Sequence, residues 1–161
     1  MVVNRCVEQG IYVVLILSLE KDHRPLRSTE LSQILSVSDS YLKKILRKLV
    51  LAGIITSNSG KDGGFQLARS IEEISIYDIY SALEGEKCEL KKSDIGSRIF
   101  VYGKEFSKGE EAVISVFEQA NAAFCEELRK LRISSLASRE HYLNGTVDFA
   151  ARISELKKNK I

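Results

Sequence analysis

The segment SDSYLKKILRKLVLAG, from Ser38 to Gly53, constrains the fold more than any other part of this chain. Laid out at about 100° per residue, Tyr41, Leu42, Ile45, Leu46, Leu49 and Val50 fill one half of a helix. Lys43, Lys44, Arg47 and Lys48 fill the other half, with Ser40 among them. A helix divided this sharply buries one side and leaves its cations on the other. Ser38 offers an N-cap oxygen, Asp39 suits the positive end of the helix dipole, and Gly53 suits the left-handed stop. A run of charge is most often a solvated face, so its neighbours decide what this one means.

Upstream, Pro25 ends a polar turn and Ser28 is placed to cap a short helix through Glu30, Leu31, Ile34 and Leu35. Ser36 and Val37 leave room only for a tight turn before Ser38. Two short helices joined in this way predict a helix-turn-helix, with the basic helix second, where such motifs enter the major groove. Downstream, Ile54 to Thr56 and Phe65 to Ala68 predict two strands around the loop SNSGKDGG. Glycines can also cradle phosphate, but they must then open a helix and be followed by Lys-Ser or Lys-Thr in register. Neither condition holds here. The loop is the tip of a hairpin, a wing beside the basic helix.

The charge along the chain agrees. A net charge of +2 conceals a local excess: residues 41–69 carry Lys43, Lys44, Arg47, Lys48, Lys61 and Arg69 against the single acid Asp62. Residues 1–40 hold four bases and five acids, and residues 70–85 hold four acids and no base. Such a cluster is the electrostatic footprint of a polyanion site.

The remaining elements follow from spacing. Residues 4–19 predict a strongly buried helix, in which Gly10 costs about 1 kcal/mol relative to alanine and implies a close tertiary approach. Ser75 to Leu83 predicts another helix, closed by Glu84 and Gly85. Residues 86–106 are charged, and SRIFVYG within them fits strand or helix. Ser107 and Glu110 form a capping box opening a long helix with Val113, Val116, Phe117, Ala120, Phe124, Leu128 and Leu131 at spacings of three and four. Extended to Ile133, it would span about 40 Å, which suggests that its stripe is shared with a second chain. A last helix is expected from Asp148 to Lys158.

The fold expected is therefore α+β and mostly helical, a winged helix-turn-helix followed by a long dimerisation helix and a C-terminal helix. Its divisions fall at 1–85 for DNA binding, 86–106 for a charged loop, which the resemblance given below implies is sensor-type, and 107–161 for helical dimerisation. The longest apolar run, Ile11 to Leu17, is well short of the roughly 20 residues of a spanning helix, and no signal-peptide cleavage pattern follows it. A cytoplasmic protein without membrane contact is expected. Cys6, Cys88 and Cys125 are too few and too far apart for a disulfide framework or a metal site, and Cys6 and Cys125 fit burial as small hydrophobes.

Three motifs together resemble the Rrf2 family of bacterial winged helix-turn-helix transcription regulators. They are YLKKILRKLVLAGII from Tyr41 to Ile55, GKDGGFxLAR from Gly60 to Arg69, and IxxxDIxxAxEG from Ile74 to Gly85. The resemblance covers the first 85 residues and implies a homodimer that binds a pseudo-palindromic operator in double-stranded DNA, usually as a repressor. It also exposes three departures. Iron–sulfur members carry three cysteines in the loop after the Glu-Gly pair, whereas this loop has Cys88 alone, so neither a cluster nor any other cofactor is expected. Ser59 stands where arginine is common before the wing, leaving Lys61 for the minor groove. Lys43 and Lys44 replace a common Glu-Gln, so the preferred bases should differ, because lysine donates where a carboxylate accepts.

The expected DNA contacts are Ser38, Ser40, Tyr41, Lys43, Lys44, Arg47, Lys48 and Lys61. Lys43, Lys44 and Arg47 would face the groove, Ser40 the groove or a phosphate, and Lys48 and Lys61 the backbone and the minor-groove side. Dimerisation would use the stripe from Val113 to Leu131. Cys88 is a candidate redox sensor, against the plainer reading of an inert exposed thiol. The alternative to a DNA-binding regulator is a dimeric adaptor whose winged helix binds protein. An enzyme is not expected, since no nucleophile–base pattern involves His23 or His141.

Overall fold

The computed structural model describes residues 3–60, 62–85, 95–99 and 103–158. Its helices are α1 (Arg5–Leu19), α2 (Ser28–Leu35), α3 (Asp39–Leu51), α4 (Ile76–Glu84), α5 (Ile95–Ile99), α6 (Gly103–Lys130), α7 (Arg139–Asn144) and α8 (Phe149–Lys158). Strands β1 (Ile55–Asn58) and β2 (Gly64–Leu67) form one antiparallel hairpin, and single 3-10 turns occupy Lys21–His23 and Ile133–Leu136. This is the mostly helical winged helix-turn-helix that the sequence predicts. Among the described residues, no helix is long and apolar enough to cross a membrane.

Helix α1 is the axis of the core. Val7, Val13, Val14, Ile16 and Leu17 are buried, because α3, α4, β2 and α7 all pack around it. At Gly10 the approach of α4 is so close that a Cβ would lie 2.6 Å from Leu83 Cδ1 and 2.9 Å from Ile79 Cγ2. That is the close approach implied by an unfavourable glycine in a helix. Leu31 of α2, Leu42, Leu46 and Leu49 of α3, and Ile54 and Ile55 at the wing root complete the core around α1.

Several boundaries differ from the expectation. Helix α2 starts at Ser28 itself, so Ser28 is not its cap; the N-cap is Arg27, whose N–H donates to Glu30 Oε2 at 2.8 Å. The glutamate three residues in does the capping. Helix α6 begins at Gly103, so Ser107 and Glu110 lie within it and do not open it. It ends at Lys130, before Ile133, because Leu131 turns away and its carbonyl accepts the Ile76 N–H at 3.0 Å. Helix α7 is too short to show a period in sequence. Helix α8 runs as expected, with Asp148 Oδ1 accepting the Ala151 N–H at 2.9 Å.

The start of α4 is held by a reciprocal cap. The Ser75 N–H and hydroxyl both donate to Asp78 Oδ2 at 2.7 Å, and the Asp78 N–H returns to Ser75 Oγ at 3.2 Å. Burial pushes the Asp78 carboxyl up, but the Ser75 donors and the Arg69 guanidinium outweigh it and hold the carboxyl below its ordinary value. A carboxyl depressed on folding adds stability above its unfolded pKa, near 4, and loses it as pH falls through the folded value. Asp78→Asn should therefore lower stability by about 1 kcal/mol at neutral pH and by progressively less below about pH 4. Chemical denaturation across that range checks this; a constant difference at every pH would contradict it.

Candidate nucleic-acid interface

The two halves of α3 separate as its sequence predicts except at Tyr41, which the periodicity places on the apolar half and which is 38% exposed. Leu42, Ile45, Leu46 and Leu49 are buried, while Ser40, Tyr41, Lys43, Lys44 and Arg47 are exposed. Ser38 Oγ accepts the Tyr41 N–H at 3.3 Å, so this hydroxyl is occupied in starting the helix. Lys43 Nζ pairs with Asp39 Oδ2 at 2.7 Å, one turn back on the same face. Lys43, then the Ser28 hydroxyl, hold the Asp39 carboxyl below its ordinary value. An exposed pair of this kind opens easily when a stronger acceptor arrives.

The wing needs its glycines for two distinct reasons. A Cβ on Gly63 would come within 2.4 Å of the Asn58 carbonyl oxygen, so the tip can close only without one. A Cβ on Gly64 would lie 2.8 Å from the Leu26 backbone, against which the hairpin is laid. The register pairs Ile55 with Leu67 and Asn58 with Gly64, which places residues 59–63 at the tip. Lys61, the expected minor-groove residue, lies outside the described residues.

Two cations of the basic segment are turned elsewhere. Lys48 Nζ, expected at the DNA backbone, donates here to the Leu83 carbonyl at the end of α4. Arg69 pairs with Asp78 at 3.4 Å and donates to the Glu73 carbonyl at 3.3 Å, away from α3. The structure adds others. Arg5 and Asn4, from the start of α1, line a recess of about 360 Å³ with Tyr41 and Lys44. Arg27 and Thr29, at the start of α2, line a second recess of about 440 Å³ with Asp62 and Gly63 of the wing. Charge counting missed them because residues 1–40 are net acidic; only tertiary packing brings Arg5 beside α3 and Arg27 beside the wing.

The long helix is split in its surroundings. Phe124 is half-buried, its ring edge-on to Tyr80 at 5.4 Å, and Leu128 joins it in lining an apolar groove of about 510 Å³ with Val7, Ile11 and Leu15 of α1. Earlier in the helix, Val113, Val116, Phe117 and Ala120 are exposed, Val116 at 63% and Phe117 at 48%. Leu131 is exposed and lies just beyond the helix end.

Comparisons with known proteins agree with this architecture. A family model described as "Rrf2: Iron-dependent Transcriptional regulator" matches residues 3–139. YffB of Lactococcus lactis, which carries the name of an HTH-type transcriptional regulator, is 32% identical over 136 residues, covering 84% of this chain and 86% of its own. The IscR structure from T. potens superposes with a TM-score of 0.60 at 21% identity, covering 84% of this chain and 85% of that one. The oxidized form of Staphylococcus aureus CymR gives 0.60 at 24% identity, covering 86% and 97%. At these identities the two structures speak for the fold.

The family description implies iron, and the described residues do not fit it. A cluster needs converging thiolates. Cys6 donates its S–H to Glu84 Oε1 at 3.0 Å, and burial first, then Glu84, push its thiol up to about 11. Cys125 is buried on α6, and no three His, Cys, Asp or Glu side chains converge among the described residues. Cys88, with its expected redox role, lies outside the described residues.

Glu84 makes a direct test of the Cys6 environment. Glu84→Gln removes the carboxylate that raises the thiol pKa and leaves the opposing Lys48 charge in place. Alkylation of Cys6 by iodoacetamide at pH 8, followed by peptide mass spectrometry, should be slow in the parent protein and several-fold faster in the variant, because only the thiolate reacts. Equal rates would show that Glu84 does not control it.

Proposed function

This chain belongs to the Rrf2 family of transcriptional regulators, and from that premise we propose that it is a repressor which binds a pseudo-palindromic operator as a homodimer. Its family regulates transcription through DNA and is not a family of enzymes. The observation that carries the reading is the exposed row Ser40, Lys43, Lys44 and Arg47 on α3, whose opposite half is locked into the core. In this reading α3 enters the major groove. Arg47 and Lys44 donate to guanine edges or phosphates, and Lys43 exchanges Asp39 for a DNA acceptor. The start of α2, with Arg27 and Thr29, and the start of α1, with Arg5, rest on the backbone, while the wing tip reaches the minor groove. We assign the protein no resident cofactor.

The second subunit is argued from what α6 leaves uncovered. Its 28 residues span about 42 Å, and the stretch carrying Val116 and Phe117 exposes apolar side chains, while α1 offers an open apolar groove. A second copy satisfies both at once, its α6 lying along the groove. Pairing through α6 would then hold two copies of α3 about one DNA turn, ~34 Å, apart.

Arg47→Ala and Lys44→Ala should each weaken specific binding by about 1–3 kcal/mol and relax base preference. Lys48→Met should lower affinity modestly and alike for every sequence, since it releases the edge of α3 that the amine pins to the Leu83 carbonyl. Fluorescence anisotropy over a range of salt concentrations, using the protein's own promoter, measures all three. Unchanged binding by the first two variants would remove α3 from the interface.

Val116→Glu and Phe117→Glu should abolish the dimer and spare the fold, because neither side chain is buried in the subunit. An unpaired carboxylate in such a seam costs several kcal/mol. Phe124→Glu should lose both dimer and stability, since it also loses Tyr80. Sedimentation together with thermal melts separates the two effects, and a dimeric Phe117→Glu protein would place the interface elsewhere.

A further inference from the structure

The Rrf2 model matches residues 3–139, yet the residues that follow are bonded into the centre of the DNA-binding half. The meeting point is the crossing from α1 to α2, residues 20–27. On one side this crossing carries the wing. Leu26 and Phe65 exchange N–H···O bonds of 3.1 and 2.8 Å, and Gln66 Nε2 donates to the His23 carbonyl at 2.9 Å. On its other side it carries the C-terminal segment. The Lys21 N–H donates to the Val147 carbonyl at 2.9 Å, the Val147 N–H to the Leu19 carbonyl at 2.9 Å, and the Asp22 N–H to the Gly145 carbonyl at 3.2 Å.

Glu20 ties these layers together. It is 1% exposed, and its carboxylate accepts the Phe149 N–H at 3.2 Å, at the start of α8, and an Arg24 N–H at 2.8 Å. Arg24 continues to Glu30 at 3.0 Å, and Glu30 accepts the Arg27 N–H that begins α2. An unbroken chain of charged hydrogen bonds thus joins the first turn of α8 to the first turn of the helix-turn-helix. Helix α8 also lies against α2, with Ile153 buried and Phe149 packed on the core.

The crossing is strained where the C-terminal segment holds it. Asp22 and His23 have φ of 56° and 49°, a left-handed conformation uncommon outside glycine though less so for aspartate and histidine. The Asp22 N–H bonds the Gly145 carbonyl, and the neighbouring Lys21 N–H the Val147 carbonyl. The seat is exacting: Gly145 has φ of 57°, and a Cβ there would lie 2.3 Å from the Glu20 carbonyl oxygen.

We propose that residues 145–158 form a strap that sets the wing and α2 in their DNA-binding positions, with Glu20 as the positioning residue through which it acts. Its effect on DNA rests on the operator-binding reading above; the coupling itself rests only on the bonds just described. A strap of this kind gives the chain a second point of control, remote from α3, at which anything that unseats Gly145 loosens the wing.

Hydrogen–deuterium exchange and operator binding on the full chain test this. Gly145→Ala and Val147→Pro unseat the strap, Glu20→Gln weakens the relay, and Arg152→Ala, exposed on α8, is the control. In the first two variants the Leu26 and Phe65 amides should exchange at least tenfold faster, with Leu46 and Ile79 unchanged. Operator affinity should fall at least tenfold with the oligomeric state retained. Glu20→Gln should be intermediate, and Arg152→Ala should match the parent. Parent-like protection of Leu26 and Phe65 in both strap variants would overturn the proposal. So would core amides that exchange in step with the wing, since the segment would then be an ordinary part of the fold. Faster wing exchange in a protein whose parent form binds no DNA would uphold the strap and defeat the operator reading instead.

Discussion

At Gly10, helix α1 comes so near α4 that Ile79 and Leu83 occupy the space where any other side chain would begin. That crossing brings the end of α4 against the start of α1 and the flank of α3 together. Glu84 can then accept from Asn4 at 3.1 Å and from Cys6 at 3.0 Å, and the carbonyl of Leu83 can accept from Lys48. The last of these bonds is made to a backbone carbonyl in the final turn of α4, where such groups run out of intrahelical partners. Helix α3 is thereby fixed in rotation as well as in position: its apolar half faces α1, and its far edge is pinned by Lys48. The exposed row of Ser40, Lys43, Lys44 and Arg47 is the consequence. Specific recognition requires such fixing, because base contacts tolerate little error in the placement of donors.

The recognition surface is less cationic than a charge count suggests, and better distributed. Lys48 and Arg69 are engaged with α4 and its approaches, and Lys43 is shared with Asp39. In exchange, Arg5 stands beside Tyr41 and Lys44 of α3, and Arg27 beside the wing. Cations spread over three helices suit a backbone that curves across the protein, whereas a block on one helix would address a single groove. The strap adds that the wing and α2 share one mechanical support, the strained crossing at Asp22 and His23.

The parts legible in the sequence are those whose signals are local. Helix α3 shows its two faces over a dozen residues, and the wing is marked by glycines between β-branched and alternating runs. Gly10 was legible as a demand for close approach, though not as to what approaches. The destinations of long side chains were not legible. Lys48 and Arg69 look identical to their neighbours until α4 is in place, and Arg5 and Arg27 sit in a stretch whose acids outnumber its bases. The start of α6 was misplaced because Ser107 and Glu110 satisfy a capping pattern that also occurs inside helices. The Glu20 relay was invisible for a different reason: its partners lie 129 residues apart, and a buried acid resembles a surface one until its donors are known.

The central claim is that α3 and the wing read a particular DNA sequence in two symmetric halves. It is tested most directly by incubating the purified protein with fragments of its own genome and sequencing what it retains. The account predicts a small set of enriched fragments sharing an inverted repeat, with half-site centres a whole number of helical turns apart, about 34 Å each. Retention of fragments without regard to sequence, or of none at all, would contradict it.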